Sequence, residues 1–133
     1  MDKIFLPREL FDRIIYHVIV HLPEETCGLL AGINNEVTMI QFVTNQLHSP
    51  DRYYMEPIEL YKSLIMIEDQ NLELIGIFHS HPKGPPKPSE TDIKEFLYPG
   101  VATLICSPEG NDWDIKSFLI ENNKFTEIDL IIV

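Results

Sequence analysis

Cysteine is scarce in this chain. Cys27 and Cys106 are the only two, they lie far apart, and neither belongs to a Cys-x-x-Cys unit. That excludes a disulfide-stapled scaffold and a cysteine-based zinc site, and buried apolar packing becomes the expectation for both thiols. Basic residues are also few: ten Lys and Arg stand against 21 Asp and Glu, a formal charge of −11. Such a balance argues against nucleic acid or an anionic membrane surface as a partner. No apolar run approaches the roughly 18 residues that crossing a bilayer requires, and the first residues carry no signal-peptide pattern, so a cytoplasmic protein is expected. Internal repeats are missing as well. With 133 residues, 44 % of them hydrophobic, the chain has the length and composition of one domain over 1–133 with a single real core.

What is present centres on one stretch, Phe78-His79-Ser80-His81-Pro82-Lys83-Gly84-Pro85-Pro86-Lys87-Pro88-Ser89-Glu90-Thr91-Asp92. The residues before it, Leu72 to Phe78, are apolar and β-prone, which puts His79 and His81 at a strand end. Residues i and i+2 of a strand share a face, with α-carbons roughly 6.6 Å apart, so two imidazoles can converge on one ion. Gly84 and the prolines force a loop over 82–88. Ser89 then reads as a helix N-cap, and Asp92, about one turn later, returns its carboxylate towards the histidines. Two His and one Asp leave a fourth tetrahedral position open for water, the layout of a catalytic zinc site. Taken singly, Ser-x-x-Asp is also a capping box, and His-x-His at a strand end is also a pair of polar residues meeting solvent. The combined spacing is harder to obtain from capping alone.

The remaining elements follow from periodicity and punctuation. Lys3 to Leu6 reads as a strand, and Pro7 opens a helix with Leu10, Phe11, Ile14, Ile15 and Val18 on one face. His17 and His21 on that helix lack the Glu-containing surroundings of a helical zinc motif. Pro23 stops the helix, Cys27 to Ala31 is a buried strand, and Asn34-Asn35 turns into a second strand from Val37 to Thr44. A polar loop over 45–52 precedes a short strand at Tyr53–Met55. Pro57 begins a helix to about Asp69, with Ile58, Tyr61, Leu64 and Ile65 expected inward. After the motif come a short helix to Phe96, a buried strand over Val101–Ser107 broken at Pro108, a strand from Trp113 to Glu121, the Asn122-Asn123 turn and a strand from Phe125 to Val133. Three helices and about seven strands give an α/β (α+β) layered domain, a curved mixed β-sheet flanked by helices.

The stretch from His79 to Asp92 resembles the motif of the JAMM (MPN-plus) metallopeptidases, which is His-Ser/Thr-His, seven residues, Ser, two residues, Asp, with a Glu far upstream. The resemblance implies a cytidine-deaminase-like JAMM/MPN fold and one Zn2+ per chain on His79, His81 and Asp92 with a bound catalytic water. It also assigns the general acid/base to the Glu before Thr26-Cys27-Gly28-Leu29-Leu30, namely Glu25, with Glu24 its rival by adjacency, and gives Ser89 the oxyanion. The implied activity is hydrolysis after the C-terminal Gly-Gly of a ubiquitin-like or sulfur-carrier protein. The short segments 45–56 and 97–101 fit a compact prokaryotic-type member better than an enzyme built to grip ubiquitin itself. Two other classes compete. A non-catalytic MPN scaffold should have lost ligands, whereas all are present. A DNA-associated relative such as the RadC group has a similar His-x-His and Ser-x-x-Asp pattern but typically Asn where Ser80 stands, and the charge of −11 argues against DNA. A zinc nucleobase deaminase, a further possibility, needs His-x-Glu and Pro-Cys-x-x-Cys, which are absent.

Overall fold

Seven strands and three helices make up the computed structural model, which describes residues 1–133. In chain order they are β1 (Lys3–Leu6), α1 (Arg8–Val20), β2 (Cys27–Ile33), β3 (Glu36–Val43), α2 (Pro57–Asp69), β4 (Glu73–Ser80), α3 (Glu90–Lys94), β5 (Ala102–Glu109), β6 (Asp112–Glu121) and β7 (Lys124–Ile132). The expected α+β class and mixed sheet are what the structure contains. Strands lie in the order β1-β3-β2-β4-β5-β6-β7, with β4–β5 and β1–β7 parallel. The curvature goes further than a bent sheet, because β1 pairs with β7 from Lys3↔Asp129 to Leu6↔Ile132 and meets β3 at Phe5↔Glu36, closing a barrel.

Both asparagine pairs form the two-residue turns read from the sequence. Asn34 and Asn35 join β2 to β3, and Asn122 and Asn123 join β6 to β7. All four have positive φ, the conformation that matches the twist of a tight hairpin. Strands β2 and β4 are covered on both faces, which explains their continuous apolar runs. Leu30, Ile75 and Phe78 join a core of 15 buried residues with Leu10, Ile14 and Val18 of α1. Cys27, Leu29, Ala31 and Ile77 face a second core of seven buried residues under α2. Gly28 is required by this crowding, since a β-carbon there would sit 2.5 Å from Phe78 Cε1 and 2.6 Å from the Gln41 carbonyl oxygen. Both cysteines are free and buried.

Three expectations need correction. First, α2 is rotated from the expected face: of the four residues expected inward, Leu64 packs on the core beside Leu60 and the buried Ser63 and Ile67, while Ile58, Tyr61 and Ile65 are exposed, the first two at 64 % each. The helix is apolar nearly all round, so hydrophobicity alone offered two faces. Glu59 selects one by accepting hydrogen bonds from both Thr44 N and Thr44 Oγ1 at 3.0 Å. Second, Tyr53–Met55 is not a strand; a single bridge, Asn45↔Met55, is all that forms there. Third, Pro108 does not break β5, which runs on to Glu109 with Pro108 opposite Trp113 at the strand end, where a missing N–H costs little.

Candidate metal centre

The end of β4 delivers the two histidines. His79 is opposite Cys27 of β2 and beside Ile105 of β5, and is 1 % exposed. Ser80, between the two histidines, faces the other way and binds Thr26, the residue just ahead of β2. Its N–H donates to the Thr26 carbonyl at 2.9 Å, while its Oγ accepts from Thr26 N at 2.8 Å. The residue next to Glu25 is thereby lashed to the histidine strand. His81 N–H donates to the Cys106 carbonyl as the chain leaves the sheet.

The loop after the strand then turns back. His81 Nδ1 lies 2.8 Å from the Pro85 carbonyl oxygen, which can only accept, so Nδ1 carries a proton and Nε2 faces the site. There Nε2 donates to Asp92 when the ring is protonated and presents its lone pair when the ring is neutral. Gly84 reaches φ +71° to make that turn. Ser89 caps α3 with a reciprocal pair of hydrogen bonds: Asp92 N donates to Ser89 Oγ at 3.0 Å, and Ser89 N donates to Asp92 Oδ2 at 2.8 Å. The capping box and the return of the Asp92 carboxylate are one structure. Oδ2 ends 3.1 Å from His81 Nε2 and 3.7 Å from His79 Nε2.

Glu25, 3 % exposed, closes the cluster from the β2 side. Its Oε1 is 3.0 Å from His79 Nδ1, but off the line a hydrogen bond needs, and that nitrogen has no hydrogen-bond partner. One donor atom each from Glu25, His79, His81 and Asp92 lies within 4.8 Å of the others. Two carboxylates and two imidazoles drawn this close, with one ring nitrogen orphaned and another 3.1 Å from a carboxylate oxygen, are arranged for a cation between them. Nitrogen and oxygen donors of this kind suit a tetrahedral divalent metal. Charge follows the same geometry. Burial opposes ionisation of Asp92, yet the His81 hydrogen bond, the nearby His79 and the Ser89 amide outweigh it and bring its carboxyl down to about 2. For His81, burial is likewise outweighed, here by Asp92 and the Pro85 carbonyl, so its basicity rises.

The structure thus gathers Glu25, His79, His81 and Asp92, with Ser89 held against Asp92. Glu24, the rival to Glu25, turns away to His48 at 2.7 Å in a solvent-facing pair. Arg52 reaches Glu95 of the α3 end at 2.5 Å. Lys83 and Lys87 are exposed. His17 and His21 lie outside the cluster with ring centroids 4.2 Å apart and planes tilted by 37°. Two participants were not singled out in the sequence. Tyr53 lays its ring on His79, centroids 4.7 Å apart and planes 24° apart. Asn45, buried, bonds several backbone groups of the loop beside Glu25. An asparagine in a polar loop looks like any turn residue, so its only legible signal was its place two residues after β3.

A family described as prokaryotic homologs of the JAB domain matches residues 7–120. The desampylase of Pyrococcus furiosus is 36 % identical over 121 residues, covering 90 % of this chain and 84 % of that protein. A probable TtuB-protein conjugate cleaving protease of Thermus thermophilus is 34 % identical over 131 residues, 98 % of this chain and 83 % of its own. The CysO-cysteine peptidase of Mycobacterium tuberculosis is 27 % identical over 122 residues, 90 % of this chain and 84 % of its own. Among solved structures, a protein from Desulfitobacterium hafniense superposes with a TM-score of 0.87 at 30 % identity, covering 98 % of this chain and 92 % of its own. A JAB1/MPN domain protein from Archaeoglobus fulgidus shares the fold, with a TM-score of 0.64 at 22 % identity and 98 % coverage of both chains.

Proposed function

Because this chain belongs to the prokaryotic JAB (JAB/MPN) family, we propose that its metal centre is that of a zinc-dependent JAMM-type hydrolase acting on conjugates of a ubiquitin-like or sulfur-carrier protein. Its relatives are named for the same chemistry: a desampylase, a protease cleaving TtuB-protein conjugates and a CysO-cysteine peptidase. The observation that carries the reading is the four-residue donor cluster with His79 Nδ1 unpartnered inside it. His79, His81 and Asp92 would hold one Zn2+, which when bound would supply Lewis-acid polarisation and lower the pKa of its water towards roughly 7.

The remaining steps belong to the protein. The Glu25 carboxylate, buried at the rim of the cluster, takes a proton from the attacking water and returns it to the leaving amine. Ser89 Oγ accepts from Asp92 N–H, so its own O–H stays free to donate to the oxygen of the scissile carbonyl as charge develops there. His79 is held by the Tyr53 ring and β4, and His81 by the Pro85 carbonyl, so both imidazoles are oriented before substrate arrives. The bond hydrolysed is the one following a C-terminal Gly-Gly, whose lack of side chains suits a site with its ligands this deeply covered. The unit acting is the whole stretch 1–133 as one domain, placed in the cytoplasm. No helix is long and apolar enough to cross a membrane.

Elemental analysis of the unchelated protein tests the metal, and cleavage of Gly-Gly-linked conjugates tests the reaction. About one zinc per chain, with release of the free Gly-Gly-ended carrier, is expected. Absence of zinc after reconstitution would sink the hydrolase reading and return the chain to the scaffold alternative.

A further inference from the structure

The loop that follows β3 lies against Glu25, and one side chain organises it. Asn45 is 6 % exposed, and both ends of its amide are used. Its Nδ2 donates to the Glu25 carbonyl at 2.9 Å and the Arg52 carbonyl at 3.0 Å, with the Ser49 carbonyl at 3.4 Å. Its Oδ1 accepts from Leu47 N and Tyr54 N, each at 3.1 Å. The Glu25 N–H in turn donates to the Ser49 carbonyl at 2.8 Å. Both polar groups of the Glu25 backbone therefore end on the loop that Asn45 ties together. The same amide brackets Tyr53, bonding Arg52 on one side of it and Tyr54 on the other, and the Tyr53 ring lies on His79.

We propose that Asn45 is a positioning residue that sets Glu25 and the Tyr53 ring in register with His79, an inference that rests on the hydrolase reading above. Asn45 touches no donor atom of the metal cluster; it acts through the backbone of Glu25 and through the loop. On the other flank, Ser80 fixes Thr26 to β4. Glu25 is consequently held between two clamps, one on the strand that carries the histidines and one on a loop with no strand partner beyond a single bridge. The loop clamp is the one a single substitution can release, and displacing a catalytic group by about 1 Å can cost on the order of 100-fold in rate.

Two measurements test this. In the protein as purified, hydrogen exchange should show the amides of Glu25, Leu47 and Tyr54 opening as one group, because the first is bonded to the loop and the other two to Asn45 Oδ1. If Glu25 exchanges instead with the strand amides of Thr26 and Ser80, the loop does not hold it and the proposal is overturned. This arm needs neither turnover nor a variant. It would stand even if wild-type protein cleaved no conjugate, the result that would defeat the functional reading alone. The second arm is Asn45→Asp, which keeps the acceptor for Leu47 and Tyr54 and removes the donors to Glu25 and Arg52. The expected result is a kcat at least tenfold lower, KM within twofold and zinc unchanged at about one per chain. An unchanged kcat overturns the proposal, and so does a fall in kcat that merely tracks lost zinc and a lower urea midpoint, which would reduce Asn45 to a fold residue.

Discussion

Glu25 and Asp92 are both carboxylates at the same cluster, and their surroundings separate their work. Asp92 is pinned by the Ser89 amide and by His81, so its charge goes into holding position. Glu25 has no side-chain hydrogen bond, only the off-line approach to His79, which leaves its oxygens available for proton traffic. Asp92→Asn should lower zinc affinity by at least the roughly 10–100-fold that loss of a supporting residue costs. Glu25→Gln should keep about one zinc per chain and lose roughly 100–10,000-fold in kcat. Elemental analysis beside turnover separates the two: equal zinc in wild type and Asp92→Asn would remove the ligand assignment, and full turnover by Glu25→Gln would remove the base.

A second residue, outside the donor cluster, carries a pH signature. His17 stacks on Phe42, centroids 3.9 Å apart, and burial first, then the neighbouring His21, brings its imidazole down from 6.5 to about 4. Arg13 over the same Phe42 ring adds a further positive charge nearby. The folded protein thus takes up this proton less readily than the unfolded chain. The associated stability is complete above pH 6.5 and is lost as pH falls towards 4, on the order of 1–2 kcal/mol once solvent screening of a half-exposed ring is discounted. Urea midpoints of wild type and His17→Gln measured from pH 7.5 to 4.5 should converge as the pH drops. Parallel curves would show that the ring titrates alike in both states.

At the scale of elements, α2 shows what a sequence can and cannot say. Its limits were legible from Pro57 and the run to Asp69, yet its inward face was not, because Ile58, Tyr61 and Ile65 repeat at helical spacing as well as Leu60, Leu64 and Ile67 do. The choice lies in a long-range contact, Glu59 to Thr44, that no local pattern encodes. The two hairpin turns were legible because a pair of asparagines between strands has few other uses. The histidines, Ser89 and Asp92 were legible because strand alternation and capping are local rules. Asn45 and Tyr53 were not, since their roles exist only once the loop folds back on Glu25 and His79. The rotation of α2 has a direct test. Ile67→Ala should cost about 2–5 kcal/mol, as truncation of a buried side chain does, whereas Ile58→Ala should stay within about 0.5 kcal/mol. The reverse order in urea denaturation would restore the face read from the sequence.

Across the whole molecule, the barrel and the metal centre draw on one core. Every strand contributes to the cluster of 15 buried residues, from Ile4 and Leu6 of β1 through Leu30, Val37, Phe78 and Leu104 to Ile115 and Ile128. Phe78 immediately precedes His79, so the strand that aims the imidazoles is anchored in the same packing that β1 and β7 close. A domain of this size has a net stability of only about 5–15 kcal/mol, so damage at the closure should be felt at the metal. Ile4→Ala, at a fully buried position of β1 opposite Leu130, should cost about 2–5 kcal/mol. Far-UV circular dichroism, Trp113 fluorescence from β6 and zinc release should then trace a single urea transition in wild type and variant alike, shifted together to lower denaturant. Zinc that binds only the folded form would add to the midpoint, and its removal should lower wild type and variant by the same amount. Zinc leaving in a separate, earlier transition that Ile4→Ala does not move would mean that Glu25, His79, His81 and Asp92 are held by a locally folding unit, and that residues 1–133 are not one cooperative domain.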